Sequence, residues 1–171
     1  MGGKGGVEMQ KIVALKRLLK ELAVERKTGA KVVFTNGCFD IIHAGHVRYL
    51  KKAAALGDVL VLGLNSDRSV RVIKGEKRPI VPQAERAEVL AALASVDYVV
   101  IFNEPTPIRL IEAILPDVLV KGADWAAGKI VGADAVKKNN GRIRRVTLVK
   151  GRSTTNIIKR ILELHKEHDG D

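Results

Sequence analysis

The chain has 171 residues, 46% of them hydrophobic, which suits one domain with a sizeable core and excludes a disordered chain. Thirty basic against 19 acidic residues give a net charge of +11, and the excess sits at the ends: residues 1–30 carry 7 basic and 3 acidic groups, residues 137–171 carry 10 and 4. With 4% aromatics and no zinc-finger or basic-zipper pattern, that charge points to a small polyanionic substrate and away from nucleic acid.

No apolar run approaches the roughly 20 residues of a membrane span, so no membrane association is expected. The glycine-rich start, Met1 to Gly6, lacks the apolar core of a secretory signal. A single cysteine, Cys38, excludes an internal disulfide and a cysteine-based zinc cluster, which suits a reducing cytoplasm.

Residues 9–26 read as an amphipathic helix, with Ile12, Leu15, Leu19 and Leu22 at helical spacing and Thr28-Gly29 ending it. It is set down as an N-terminal extension, residues 1–30, packing on the domain body or on a partner subunit. From Lys31 the pattern alternates. Strands are predicted at Lys31 to Thr35, Val59 to Leu64, Tyr98 to Phe102, Val118 to Lys121 and Arg144 to Val149. Helices are predicted at His43 to Leu56, Gln83 to Ser95, Thr106 to Leu115, Asp134 to Asn139 and Thr154 to His165. Continuous apolar strands separated by helices belong to a parallel sheet covered on both faces. The expected fold is therefore a doubly wound, Rossmann-like α/β domain over residues 31–171, with five parallel strands and a ligand crevice at their carboxyl ends. Ser69 to Pro82 and Trp125 to Gly132 read as mobile excursions.

The chemistry-bearing residues cluster at those strand ends. Asn36 to Phe39 follow the first, Asn65 to Asp67 the second, Asn103 and Glu104 the third, Gly122 to Trp125 the fourth, and Gly151 to Thr155 the fifth. After the first strand, Gly37 lets the chain turn, and His43 and His46 stand three apart at the start of a helix. First-turn amides, the helix dipole and two imidazoles pointing one way make an anion site, read here as a nucleoside triphosphate site.

His43-Ala44-Gly45-His46 after a strand resembles the H-x-G-H signature of the nucleotidyltransferase superfamily, and Gly151 to Ile158 resembles its second motif, a Ser/Thr-rich turn opening the last helix. Asn65-Ser66-Asp67, Lys74-Gly75 with Arg78-Pro79, and Val120 to Trp125 are similar to the D-glycero-beta-D-manno-heptose 1-phosphate adenylyltransferase family. The likeness spans roughly residues 31 to 162.

The resemblance implies transfer of AMP from ATP to a heptose 1-phosphate, giving ADP-heptose and pyrophosphate, with Mg2+ on the triphosphate. It also implies a cytoplasmic homodimer. In that family the unit often forms the second half of a fusion with a sugar kinase, and this chain reads as the free-standing transferase. His43, His46 and Lys74 are the catalytic candidates. Gly37, Cys38, Phe39, Gly45, Arg86, Lys121, Gly122, Asp124, Arg152, Ser153, Thr154 and Thr155 are candidates for binding the nucleotide, and Asn65, Asp67 and Arg78 for the sugar substrate. Three assignments stay open: Asp40 between orienting the helix start and holding metal, Arg86 between phosphate contact and an ion pair, and Trp125 between nucleoside contact and core filler. The rival functions are a cytidylyltransferase acting on glycerol 3-phosphate or a similar alcohol phosphate, and a nucleotide-binding sensor without turnover.

Overall fold

A computed structural model of the chain describes residues 10–123, 130–147, 151 and 153–166. Its five strands are β1 (Val32–Gly37), β2 (Val59–Asn65), β3 (Tyr98–Phe102), β4 (Val118–Gly122) and β5 (Arg142–Val146). Around them lie α1 (Leu15–Lys27), α2 (Ala44–Ala54), α3 (Asp67–Lys74), α4 (Gln83–Ala91), α5 (Ile108–Ile114), α6 (Ala133–Lys138) and α7 (Thr154–Lys166).

Side-chain alternation along the strands divides the core in two. Val32 and Phe34 of β1, Val61 of β2 and Leu119 of β4 meet Leu18 and Leu22 of α1, Ile111 and Ile114 of α5 and Val136 of α6. Val33, Leu60, Leu62, Leu64, Val118 and Val120 point the other way, onto Tyr49, Leu50 and Ala53 of α2 and Leu90 of α4. Every residue of β2 is buried, as a strand covered on both faces requires.

The sheet order is β3-β2-β1-β4-β5 and all four pairings are parallel. From β1 the chain winds outward to β2 and β3, then crosses to the other side of β1 for β4 and β5. The switch point therefore lies between β1 and β4, with Gly37 and Gly122 at its carboxyl mouth.

At the opposite edge, three aspartates each stand just before a strand and accept an amide from the neighbouring one. Asp58 takes the N–H of Lys31 at 2.8 Å, Asp97 that of Leu60 at 2.7 Å and Asp117 that of Val32 at 2.8 Å. These carboxylates satisfy donors at the amino ends of the strands.

The five-stranded parallel sheet agrees with the sequence expectation; the first helix, the excursion from Ser69 and the last strand differ. The first helix starts at Leu15, because residues 11–13 pair along the open edge of β3, with Val13 donating to Val99 at 3.0 Å and Val99 to Lys11 at 2.8 Å. An edge strand offers unpaired amides and carbonyls, and satisfying them outweighs one more helical turn. The excursion predicted from Ser69 begins as helix α3, capped by Ser66, whose Oγ accepts the Ser69 N–H at 3.2 Å, with Ser69 and Val70 buried. β5 lies two residues earlier than predicted, and Leu148 to Lys150 fall outside the described residues. Among the described residues no helix is long and apolar enough to cross a membrane.

Candidate active site

The chain leaves β1 through a turn that its residues force. A side chain at Gly37 would stand 2.9 Å from the Phe39 ring, so only glycine fits there. Phe39 itself adopts φ 44°, a left-handed conformation that costs an L-residue about 1 kcal/mol or more, and its buried ring packs edge-on against His46 at 5.3 Å.

This turn delivers the chain to His43, the N-cap of α2. Its Nδ1 accepts the Gly45 N–H at 3.1 Å, doing with an imidazole what Ser or Asp does at most helix starts. The predicted shared face is observed: the rings of His43 and His46 stack with centroids 3.9 Å apart and planes 19° from parallel. Burial, and then the charge of His43, lower the pKa of His46 to about 4. At neutral pH His46 is thus an uncharged ring, and its buried Nδ1 has no hydrogen-bond partner among the described residues. A buried nitrogen left unmatched is rare in a folded protein.

Tyr49, one helical turn after His46, holds α2 against the switch point. Its hydroxyl pairs with Thr35 Oγ1 at 2.7 Å and donates to the Val120 carbonyl at 3.3 Å, joining β1 to β4. Beside it, Lys121 Nζ donates to Asn36 Oδ1, again bridging β4 to β1. Lys121 is buried, and that desolvation lowers its pKa from 10.5 to about 8.

The hydroxyl-rich turn reaches the same corner from the far end of the chain. Gly151 adopts φ 74°, Ser153 Oγ accepts the Asn156 N–H at 3.1 Å, and Asn156 Nδ2 donates to the Gly151 carbonyl at 3.2 Å, opening α7. Thr154 Oγ1 lies 3.5 Å from the Ile41 carbonyl, across 113 positions of sequence and two residues before His43. Thr155 is exposed. His43, His46, Gly37, Gly45, Lys121, Gly122, Ser153 and Thr154 therefore gather around the switch point. Asp124, Trp125 and Arg152 lie outside the described residues.

Other candidates hold the frame. Asp40 is 3% exposed, with Oδ1 accepting the amides of Ile80 and Val81, both at 2.8 Å, and Oδ2 taking Arg78 Nε at 2.6 Å. Burial works to raise its pKa, but the Val81, Ile80 and Arg78 hydrogen bonds outweigh it and the net shift is downward. With both oxygens engaged, Asp40 does not fit a metal ligand, and among the described residues no group of three or more His, Cys, Asp or Glu side chains could hold a metal ion.

Arg86, left open between phosphate contact and an ion pair, has a side chain with no exposed surface, so it meets no ligand in this arrangement. It makes an ion pair, with Asp67 at 2.7 Å, which engages Oδ1 of that substrate candidate and leaves its side chain 26% exposed. Asn65 is 2% exposed and donates to Ser69 Oγ at 2.9 Å, facing α3 and not the crevice. Arg78 and Lys74 stay accessible: the Arg78 side chain is 21% exposed, and Lys74, exposed at the end of α3, acts on the thiol of half-buried Cys38. Burial raises the Cys38 pKa, against the opposing charges of Lys74, Arg86 and Arg78. Sequence reasoning missed Tyr49 as the brace of α2. The inward direction of Arg86 was foreseen, and Arg86 and Leu90, spaced i, i+4, share the buried face; its partners, Asp67 and the backbone carbonyls, were not. A concavity of about 660 Å3 beside Ile108, Ile130 and Gly132 contains neither histidine.

A doubly wound sheet with stacked H-x-G-H imidazoles and a hydroxyl-bearing helix start at one switch point defines a nucleotidyltransferase domain. Residues 34–160 match the cytidylyltransferase-like family model, well over half of the chain, and the chain belongs to that family. It is 58% identical over 157 residues to the bifunctional protein HldE of Geobacter metallireducens, covering 92% of this chain and 32% of that protein. Against the HldE of Geobacter sulfurreducens it is 52% identical over 167 residues, covering 98% and 34%. The chain thus spans about a third of the length of the curated relatives it matches. Among solved structures it resembles a lipopolysaccharide core biosynthesis protein from Thermoplasma volcanium, with TM-score 0.60 and 27% identity over 72% of this chain and 100% of that one.

Proposed function

We propose that the chain transfers AMP from ATP to D-glycero-beta-D-manno-heptose 1-phosphate, releasing pyrophosphate and forming ADP-heptose for the lipopolysaccharide core. The observation that carries this reading is the meeting of the Thr154 turn with the loop leading to His43 and His46, which gives one triphosphate two walls. An oxygen of the sugar phosphate attacks the α-phosphorus in line, the bond from that phosphorus to the α,β-bridging oxygen breaks, and pyrophosphate leaves with the electron pair. The nucleophile is already an anion, so no general base is needed. That agrees with a His46 too weakly basic to be one and suited to hydrogen-bonding the developing charge.

Positioning and fixed positive electrostatics then carry the rate. The α2 start with His43 and His46 faces the α- and β-phosphates, and Ser153, Thr154 and Thr155 grip the β- and γ-phosphates through hydroxyls and first-turn amides. Lys121 flanks the nucleotide, and Lys74 and Arg78 meet the sugar phosphate. Asp124 and Arg152 complete the nucleotide site. Mg2+ enters as the MgATP substrate complex, held by phosphate oxygens. The working form is a cytoplasmic homodimer.

Pyrophosphate release is measured with ATP, CTP and GTP, each against heptose 1-phosphate and glycerol 3-phosphate. Turnover confined to ATP with heptose 1-phosphate is expected. Turnover confined to CTP with a polyol phosphate moves the assignment to the cytidylyltransferase reading, and nucleotide binding without any turnover moves it to a sensor.

A further inference from the structure

Arg86 heads the fully buried side chains by size, and it is charged. A guanidinium can sit in a core only if its donors are matched, and these are matched unusually widely. Nε donates to the Val81 carbonyl at 2.9 Å, Nη1 to the carbonyls of Cys38 and, at 3.0 Å, Asn65, and Nη2 to Asp67 Oδ1 at 2.7 Å. These acceptors belong to three separate segments: the exit of β1, the exit of β2 and the strap that leads into α4.

Asp40 fastens the same strap from the other side, through Ile80, Val81 and Arg78. The Cys38 carbonyl is the critical acceptor, because the next residue is the left-handed Phe39, whose ring seats His46. A strained turn keeps its shape only where its surroundings over-determine it. Removing the guanidinium alone leaves Asp67 and the carbonyls of Val81, Cys38 and Asn65 unmatched, so Arg86 also supports the fold, and a positioning role has to be read from the histidines and not from stability.

We propose that Arg86 is a positioning residue: it touches no substrate, and by holding the Cys38 carbonyl and the Val81 strap together it fixes the turn that aims His43 and His46 at the phosphates. The inference rests on the nucleotidyl-transfer reading for its rate effect but not for its geometry, and the test keeps the two apart.

Arg86→Met, Arg86→Lys and Asp67→Asn are prepared in the full chain. Each is assayed for thermal midpoint, for kcat and KM with ATP, and by NMR for the imidazole C–H resonances of His43 and His46 without substrate. Arg86→Met should fold with a lowered thermal midpoint, lose at least 100-fold in kcat with less than 10-fold change in KM, and shift both histidine resonances. Arg86→Lys, able to reach only some of the four acceptors, should recover about 10-fold of the loss. Wild-type kcat with unshifted imidazole signals in folded Arg86→Met overturns the proposal. Should Arg86→Met fail to fold, Asp67→Asn decides: a drop of about 10-fold in kcat with shifted imidazole signals and an unchanged thermal midpoint supports it, and unshifted signals overturn it. A wild-type protein that releases no pyrophosphate defeats the functional reading alone, because the imidazole signals still report whether Arg86 sets the turn.

Discussion

Replacing Lys121 by methionine separates what the side chain does for binding from what it does to stability. Lys121 is 7% exposed at the end of β4, and burial lowers its pKa from 10.5 to about 8. At about 1.4 kcal/mol per unit, holding the charge there costs the fold about 3 kcal/mol at pH 7. Methionine matches the length and removes that cost, but it leaves Asn36 Oδ1 without its donor, a loss of about 1 to 3 kcal/mol. The variant should therefore be as stable as the wild type at pH 7, or more so by up to about 2 kcal/mol. The pH dependence has a definite sign. Between pH 8 and 10.5 the unfolded wild type holds a proton that the folded protein has shed, so wild-type stability gains up to about 1.4 kcal/mol per unit across that window. The variant lacks this gain, so the order of stability should reverse by about pH 10. Urea unfolding of both proteins at pH 7, 8, 9 and 10 follows the crossing, and calorimetric titration with MgATP should show at least 10-fold weaker binding by the variant at pH 7. A variant destabilised by more than about 1 kcal/mol at pH 7, with a difference that does not change with pH, would refute the reasoning.

His43→Ala should lower kcat by about 1,000-fold or more while weakening ATP binding less than about 10-fold, because the charge it stabilises develops only in the transition state; rapid-quench turnover with equilibrium binding checks this. His46 stays neutral in the fold down to about pH 4 while its unfolded counterpart protonates near 6.5, so stability falls by up to about 1.4 kcal/mol per unit as pH drops through that interval. Acid titration of His46→Asn, followed by circular dichroism, should show a shallower decline. Asp40→Ala strands the Ile80 and Val81 amides and the Arg78 guanidinium, and chemical denaturation should register a loss of about 2 to 4 kcal/mol. Asp97→Ala leaves only the Leu60 amide unmatched at the edge away from the crevice; it should cost about 1 to 2 kcal/mol with kcat unchanged, and a large fall in kcat would contradict the placement of the site.

The sheet was legible because four of its strands, β1 to β4, carry short apolar runs; β5, with three arginines, does not, and it starts two residues before the predicted position. Val32, Val33 and Phe34, or Val59 through Leu64, have too few residues for a helix and too little polarity for a surface strand, so only a strand buried on both faces accommodates them. The histidine corner was legible because its chemistry is local, a glycine turn followed by a helix start. What escaped was decided by distant partners. Residues 11–13 have helical periodicity, yet β3 offers an unpaired edge that no inspection of those residues reveals. Charged residues hid α3, whose Ser66 cap and buried Val70 argue for helix once the sheet is in place. Asp40 and Arg86 illustrate the same limit at the site: beside a phosphate-binding motif the sequence leaves ligand contact and a structural role open for both, and only the fold shows carbonyls and amides from three segments converging on them.

The central claim is that the stacked imidazoles and the Thr154 turn hold one triphosphate between them. Titrating isotope-labelled protein with a non-hydrolysable MgATP analogue, and following the His43 and His46 imidazole signals alongside the amides of Ser153, Thr154 and Thr155, tests it directly. Both sets of resonances should move together and saturate with a single dissociation constant. Movement of one set alone, or saturation at two distinct concentrations, would contradict a shared triphosphate.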